Sequence, residues 1–269
     1  MMKTTFTFSA LFLIGFLGAQ HKIFVYELSF KLKKDSLQTA TTLLDVENLT
    51  SIFRTEQQRE VDSINYKTGV NRSLSSGFEN KFTVTKDLAT DTTIKIIDNL
   101  HDHYALPIEE KLHWTILSDT KKIGEITCQK AKVGYGGRNW EACFAPEIPV
   151  QDGPYVFRGL PGLIIEIMDS DLDYHFSLKE IRNTAGHIPT TAKPFKINWK
   201  QFKKLATEYY NDPFKNMKPN SAGLSAKIRY VDDKGNVLEP NFQQWTVDAQ
   251  KAIRAHNNPI ELNHKIDYK

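Results

Sequence analysis

A chain of 269 residues with 35 basic and 32 acidic side chains carries a formal net charge of only +3, and its lysines and arginines are dispersed. This balance argues against nucleic acid as a partner, and the length fits one all-β domain. After the first twenty residues no apolar stretch is long enough to span a membrane, which takes about 20 apolar residues.

Residues 1–19 have the layout of a secretory signal peptide. Lys3 supplies a positive charge, residues 8–17 are almost entirely apolar, and Gly18 and Ala19 are small residues suited to cleavage. We therefore predict a signal peptide over residues 1–19, a single mature domain over residues 20–269, and a location in the periplasm or cell envelope. The alternative is that the apolar run forms a buried first strand or helix.

Alternating apolar and polar side chains dominate the mature chain and predict β-strands. The pattern recurs at residues 82–85, 112–116, 174–179 and 226–230. Residues 94–106 fit one long extended stretch with Ile94, Ile96, Tyr104 and Leu106 on one face, whereas residues 50–61 fit either a strand or a short helix. The first strand has an apolar face made of Phe24, Tyr26, Leu28, Phe30 and Leu32. Strands with one polar face predict an antiparallel sheet with one side in water.

One helix is predicted in the C-terminal half. Asn198 can cap it, and Pro213 follows its end. Its apolar face is formed at helical spacing by Trp199, Phe202, Leu205 and Tyr209. The predicted fold is mainly β: a curved antiparallel sheet or half-open barrel, with this helix packed on its apolar face.

The two cysteines, Cys128 and Cys143, flank a glycine-rich turn at residues 134–138. A hairpin centred near Gly136 would place them almost opposite each other, within the reach of a disulfide. In an oxidising compartment two thiols in one domain are most simply paired. A register slip of one residue would separate them.

An irregular connection leads into an apolar strand near residue 163. Gly153-Pro154 makes a corner, and Pro161-Gly162 fits the central positions of a type II turn. Residues 163–168 are apolar on both faces, as in a strand covered on both sides. The simplest interpretation is a tight corner feeding a core strand, and the functional one is a rigid corner that shapes a pocket or a docking edge.

The same segment resembles a known family. The hexapeptide of Gly159, Leu160, Pro161, Gly162, Leu163 and Ile164 is similar to the signature of the GLPGLI family, which comprises exported proteins of outer-membrane-bearing bacteria. Residues 128–131, Gly137-Arg138, residues 147–149, Gly153-Pro154 and Phe157 also fit its pattern, so the resemblance covers roughly residues 110 to 180. Cys143 stands where the pattern more often has an aromatic residue. The resemblance implies export and a shared β fold, but no activity and no site residues.

Acidic residues at 169–180 have the spacing of a calcium-binding loop. Asp169, Asp171, Asp173, Ser177 and Glu180 occupy positions 1, 3, 5, 9 and 12, but Tyr174 stands where the loop needs glycine. A solvated turn between two strands explains these residues better.

Two histidines at alternate positions, His101 and His103, could chelate a transition metal from one strand face, with His113 further along. No third ligand is identifiable, and Lys95 and Asn99 on that face indicate a plain wet surface. A cysteine nucleophile assisted by His175 would need an unpaired thiol. We assign no catalytic, cofactor-binding or metal-binding residue, and no cofactor.

The leading hypothesis is a non-enzymatic periplasmic binding or carrier protein for an apolar or amphipathic ligand, held between the sheet and the helix. It rests on an apolar sheet face opposite an aromatic helix, a layout similar to that of periplasmic lipid carriers. The alternatives are an interaction partner of outer-membrane transport or envelope machinery, and a metal-dependent hydrolase built on His101 and His103.

Overall fold

A computed structural model describes residues 21–33, 36–70, 77–78, 81–99, 102–184, 194–218, 230–231, 234, 236–238 and 240–269. Two antiparallel meanders form the body of the fold. The first comprises β1 (His21–Lys31), β2 (Leu37–Glu47), β3 (Thr50–Thr55), β4 (Val84–Asp87), β5 (Thr92–Asn99) and β6 (Asp102–Pro107). The second comprises β7 (Thr115–Ile123), β8 (Ile126–Tyr135), β9 (Arg138–Ala145), β10 (Leu163–Asp169) and β11 (Tyr174–Thr184). The predicted signal peptide lies outside the described residues.

The two meanders join into one sheet because β1 pairs with β11 in antiparallel orientation. A short strand, β12 (Phe195–Lys196), adds to β6 in parallel orientation and completes twelve strands. The strand order is β12-β6-β5-β4-β3-β2-β1-β11-β10-β9-β8-β7. The described residues also contain a two-stranded ribbon of β13 (Tyr230–Val231) and β14 (Val237–Leu238).

The sheet is strongly curled, as the connection from β6 to β7 requires. In a flat sheet the ten strand spacings between β6 and β7 would separate them by roughly 48 Å. The chain between Pro107 and Thr115 can span at most about 28 Å. The sheet must therefore bring its two ends towards each other. Within the connection, the indole nitrogen of Trp114 donates to the carbonyl of Arg158 at 2.9 Å.

The inner face of the sheet carries a continuous ladder of paired side chains. The strand register aligns Phe24, Leu44, Phe53, Val84, Lys95 and Leu106 across β1 to β6. All but Lys95 are apolar and fully buried, because strands that share one covered face alternate with a period of two. The predicted apolar face of the first strand, from Phe24 to Leu32, is buried throughout.

The described part of the chain contains three α-helices. On the outer face, α1 (Glu56–Thr68) begins after the capping residue Thr55 and packs near β2 and β3. At the β5–β6 end of the inner face, α2 (Trp199–Asn211) begins with a capping box between Asn198 and Gln201. It buries Ala206 in a cluster with Phe78, Ile97 and Leu106. The last helix, α3 (Phe242–Ala255), contacts α2.

The mainly β prediction, with a curved antiparallel sheet and a helix on its apolar face, is confirmed. The helix predicted from Asn198 is α2. The ambiguous region at residues 50–61 contains both alternatives, because β3 ends at Thr55 and α1 begins at Glu56. The prediction of one extended stretch at residues 94–106 is wrong, because β5 and β6 form a hairpin in which Ile97 pairs with Tyr104. Most of the strand predicted at residues 226–230 lies outside the described residues.

The connection from β9 to β10, residues 146–162, enters the inside of the curled sheet, and we call it the plug loop. Tyr155 and Phe157 are fully buried in it. The ring of Phe157 lies 4.6 Å from that of Trp140 and 5.7 Å from that of Tyr135. The interior of the sheet is thus filled by the chain's own aromatic side chains.

A buried ion pair fixes the plug loop to the first meander. Lys86 on β4 places its Nζ 2.5 Å from Oδ1 of Asp152 and donates to the carbonyl of Gly153 at 2.6 Å. Ser51 donates to Oδ2 of Asp152 at 2.5 Å. Burial lowers the pKa of Lys86, although the charge of Asp152 opposes that effect.

Cys128 and Cys143 form a disulfide between β8 and β9, as predicted. The register differs from the expectation of nearly opposite residues, because Cys143 pairs with Lys130. The two cysteines lie on one face as diagonal neighbours, and their Cα atoms are 5.4 Å apart. The twist of the hairpin brings such diagonal positions together.

Candidate ligand-binding site at the mouth of the sheet

The segment that follows α3, residues 256–269, crosses the mouth of the curled sheet, and we call it the C-terminal strap. Arg138, at the start of β9, holds it. Its guanidinium donates to Oδ1 of Asn258 at 2.7 Å and to the carbonyls of Pro259 and Ile260 at 2.9 and 3.2 Å. The same group is fixed from below by Asp169 at 2.7 Å. The guanidinium group has five N–H donors in a fixed planar arrangement, so one side chain can bind all of these acceptors.

The glycine-rich turn between β8 and β9 is the seat of the strap. Gly136 has φ of +65°, and a Cβ there would lie 2.9 Å from the carbonyl oxygen of Ile260. The amide of Asn263 donates to the carbonyl of Gly136 at 3.2 Å. The turn therefore needs glycine for close approach of the strap as well as for its backbone conformation.

Below the strap, Glu261 directs its carboxylate into the sheet. Oε2 accepts from Nζ of Lys95 at 2.9 Å, while Oε1 accepts from the hydroxyls of Tyr135 at 2.9 Å and Tyr155 at 2.5 Å. Only 3% of Glu261 is exposed. The group joins the strap, the plug loop and both meanders through one carboxylate.

Glu261, Lys95, Tyr135 and Tyr155 form the floor of the cleft described below. Burial and hydrogen bonds determine the charge of these side chains. Burial alone would raise the pKa of Glu261, but the charge of Lys95 and hydrogen bonds from Tyr155, Lys95 and Tyr135 outweigh it and lower that pKa. Burial, and then the charge of Glu261, raises the pKa of both tyrosine hydroxyls well above the usual value. The floor is a carboxylate–ammonium pair with two neutral hydroxyl donors.

An aromatic cleft lies between this floor, α2 and the strap. Its apolar walls consist of Phe78, Phe82, Trp199, Phe202, Ile260, Ile266 and Tyr268. The indole of Trp199 stacks on the imidazole of His264, with ring centroids 3.8 Å apart. Burial lowers the pKa of His264, so this imidazole is neutral near pH 7.

The cleft is narrow inside and open outside. Its cavity volume is about 60 Å³, and about 610 Å³ is empty when the open mouth is included. This volume is far less than the roughly 300 Å³ at which pockets for drug-sized ligands begin. Lys81, His256 and Lys265 also line the cleft, and Lys265 is exposed.

The predicted helix face divides between the cleft and the packing of α2. Trp199 and Phe202 line the cleft. Leu205 and Tyr209 pack against the cluster around Phe78 instead, and the rings of Tyr209 and Phe78 are 5.9 Å apart.

The predicted corner is mostly buried. Gly153, Pro154, Phe157, Leu160, Gly162, Leu163 and Ile164 are buried, whereas Gly159 and Pro161 are exposed. The predicted type II turn is wrong: the amide of Gly162 donates to the carbonyl of Leu160 at 2.8 Å, which closes a three-residue turn over Pro161. Gly162 has φ of +152°, and a Cβ there would lie 2.2 Å from the carbonyl oxygen of Ala145.

The acidic residues with calcium spacing form part of the strap's support. Asp169 binds Arg138 and accepts from the amide of Tyr174 at 2.8 Å. Asp173 accepts from Arg138 at 3.2 Å and from Asn258 at 2.9 Å. Glu180 lies further along β11 and pairs with Arg182. Asp169 and Asp173 therefore lie at the two ends of the turn between β10 and β11.

The predicted histidines do not converge among the residues that the structure describes. His101 lies outside them, His103 is buried beside Asp98 at 2.7 Å, and His113 is exposed in the β6–β7 connection. His175 contacts Glu166 at 3.2 Å, and both cysteines are in the disulfide. No group of three metal-ligating residues occurs in the described ranges.

Lys95, Arg138 and Glu261 are site residues that the sequence did not indicate. Lys95 was assigned to a wet face, yet 9% of it is exposed. Arg138 was noted only as part of a turn and of the family pattern, neither of which gave it a role, and Glu261 carries no pattern of its own. The one sequence feature that pointed to this region was the glycine-rich turn at residues 134–138. Its lack of side chains also allows the strap to approach closely.

One segment of the chain matches a known protein family. A family described as a protein of unknown function (Porph_ging) matches residues 136–166, which include Arg138 and the plug loop. No curated protein matches the chain. Each of the described helices is too short or too polar to cross a membrane.

Two solved structures of PNGF-II, in space groups C2 and P21, are similar to this chain, each with a TM-score of 0.52 and 12% sequence identity. The matches cover 70% and 81% of this chain but 33% and 39% of the PNGF-II chains, so the chain spans little more than a third of their length. At this identity the likeness concerns the fold alone.

Proposed function

We propose that this protein binds a small amphipathic ligand in the aromatic cleft between α2 and the C-terminal strap, without catalysing a reaction on it. The cleft's lining carries the proposal. It combines half-buried aromatic rings with a few polar groups, the composition typical of sites for small molecules.

The packing argues for the cleft over the interior of the sheet. Tyr155 and Phe157 of the plug loop occupy that interior, which leaves little room for a long acyl chain between sheet and helix. With a cavity volume of about 60 Å³, the cleft would admit the tip of an apolar group, and the rest of the ligand would lie in its open mouth.

We propose further that the protein is exported to the periplasm or envelope and is of the GLPGLI type. The signal-like residues 1–19 support export. The hexapeptide at residues 159–164 lies within the matched segment 136–166 and supports the family assignment.

Native mass spectrometry of the protein purified from its own compartment tests the binding function. We expect extra mass from a small organic molecule that is lost on denaturation. Titration with the neutral apolar dye Nile red should give saturable fluorescence. His256→Trp, in the lining of the cleft, should abolish both signals, whereas Lys251→Trp on the exposed side of α3 should leave them unchanged. A bare native mass together with no dye binding, or equal binding by both variants, would overturn the proposal.

A further inference from the structure

A second cavity opens where the β6–β7 connection meets the plug loop. It lies between that connection, the turn from β4 to β5, and the part of the plug loop around Arg158. Its volume is about 320 Å³, which exceeds that of the aromatic cleft and falls within the range of small-molecule sites. We propose that this cavity binds a neutral, polyhydroxylated molecule of the carbohydrate class, independently of the ligand of the aromatic cleft.

The charged side chains of this cavity are held in place by pairing. Nη2 of Arg158 lies 2.6 Å from Oδ1 of Asp91, and Nζ of Lys111 lies 2.5 Å from Oδ2 of the same carboxylate. Nε of Arg158 donates to the hydroxyl of Thr93 at 3.0 Å. Glu110 accepts from a backbone amide of the glycine-rich turn at 3.0 Å. Apart from one imidazole, the described lining holds two basic and two acidic side chains, so no excess of one charge selects an ion.

These paired groups can still bind hydroxyls. Each carboxylate oxygen of Asp91 has a second acceptor site, and the ammonium of Lys111 has donors besides the one directed at Asp91. Nη1 of Arg158 makes no hydrogen bond within the described part of the chain. Because a sugar hydroxyl both donates and accepts, it can add to such a pair without breaking it. A free amino acid would instead compete with Asp91 for the two basic side chains.

Trp114 supplies an apolar wall in a fixed orientation. Its indole nitrogen donates to the carbonyl of Arg158 at 2.9 Å, and its ring meets that of Phe157 edge to face, with centroids 6.4 Å apart. The indole is only partly buried, and the partly buried Ile108 and Leu112 also line the cavity. A sugar ring has C–H groups on its faces and hydroxyls at its edge, so an aromatic wall combined with fixed polar groups suits it. A wall that is already held in place loses little conformational entropy on binding.

An array of immobilised oligosaccharides, both neutral and sulfated, is the first test. We expect the protein to bind neutral oligosaccharides. Calorimetric titration with the strongest of them should give an affinity that changes less than about twofold between about 0.05 M and about 0.5 M salt, because salt screens only interactions between charges. Binding to sulfated oligosaccharides alone, binding to none, or a steep loss of affinity with salt would overturn the proposal.

Matched arginine variants locate the binding in this cavity. Arg158→Gln should weaken binding of the same oligosaccharide about tenfold, because a charged donor is lost. Arg182→Gln breaks an exposed ion pair on β11 and should leave the affinity unchanged. Equal affinities of these two variants would overturn the proposal.

Two further variants separate binding from folding and from the aromatic cleft. Lys111→Met changes a side chain that is 62% exposed, so it should fold normally and weaken oligosaccharide binding about threefold. His256→Trp should abolish dye binding and leave oligosaccharide binding intact. Loss of both ligands in His256→Trp, or an unchanged affinity in Lys111→Met, would overturn the proposal of a second, independent site, whereas the function proposed for the aromatic cleft rests on dye binding alone.

Discussion

Glu261 and Lys95 are separated by 166 positions in the chain, yet their charged atoms meet at 2.9 Å inside the sheet. Lys95 occupies a position in the inner ladder that is otherwise apolar from Phe24 to Leu106. The ion pair exists because the strap brings a carboxylate to that position. A lysine there without Glu261 would be a buried, uncompensated charge.

Glu261→Gln removes the negative charge and keeps an acceptor for the two tyrosine hydroxyls. We expect the free energy of unfolding to fall by about 3–5 kcal/mol, because Lys95 is left buried without a counter-charge. Urea denaturation measures this loss, and adding Lys95→Met should recover part of it. In the exposed pair Lys122–Glu125, Glu125→Gln should change stability by less than about 0.5 kcal/mol. Equal losses of stability in Glu261→Gln and Glu125→Gln would contradict the conclusion that Glu261 compensates a buried charge on Lys95.

Gly162→Ala should destabilise the fold severely, by about 3 kcal/mol or more, because its Cβ would collide with the backbone at Ala145. Gly134 provides the comparison, since a Cβ there meets nothing within 4 Å and its φ is not positive. Gly134→Ala should shift the unfolding midpoint only slightly. The prediction fails if both variants unfold at the same urea concentration.

The denatured protein purified from an oxidising compartment should weigh two hydrogens less than the reduced chain. The two cysteines are 15 residues apart, so the cross-link should contribute about 3 kcal/mol through the unfolded state. Unfolding with and without reductant measures this contribution. The double variant Cys128→Ala/Cys143→Ala should match the reduced protein and be insensitive to reductant.

Glu166 should make stability sensitive to acid. A hydrogen bond to His175, and then contacts with Lys121, lower its pKa from 4.5 to about 2 despite partial burial. The folded-state pKa lies below the unfolded one, so the stabilisation is complete above pH 4.5 and is lost as the pH falls towards 2.

Because Lys121 is 44% exposed, solvent screening reduces the effect of Glu166 to about 1 kcal/mol. Glu166→Gln should therefore cost stability at pH 6 and progressively less as the pH falls from 4.5 to 2, as measured by urea denaturation across that range. A loss of stability that is the same at every pH would show that the charge of the Glu166 carboxylate does not stabilise the fold.

The sequence predicted those elements whose pattern is local. β1 was recognisable because its apolar residues from Phe24 to Leu32 alternate with Glu27, Ser29 and Lys31, and α2 because a capping residue precedes an apolar stripe. The hairpin of β5 and β6 was missed because pairing of Asn99 with Asp102 switches the inward positions from odd to even numbers. Ile96 and Leu106 share parity, yet they lie on opposite faces.

The floor of the cleft could not be predicted in the same way. Because Lys95 lies between Ile94 and Ile96, the alternation predicts that it faces solvent. Its burial follows only from the ion pair with Glu261, which lies near the end of the chain. α3 did leave a signal, since Phe242, Trp245, Ala249 and Ile253 recur at helical spacing. Contacts between distant segments, unlike helical spacing, leave no periodic trace in the sequence.

The pairing of β1 with β11 also bears on how the protein folds. Each meander consists of neighbours in sequence, but this pairing joins His21 to Thr184. Closing so long a loop costs more chain entropy than forming any hairpin, so we expect it to be a late and slow step. The cysteines lie within one hairpin of the second meander and are 15 residues apart. Oxidation can therefore precede closure of the sheet, and the cross-linked hairpin would offer β10 and β11 a preformed edge on which to assemble.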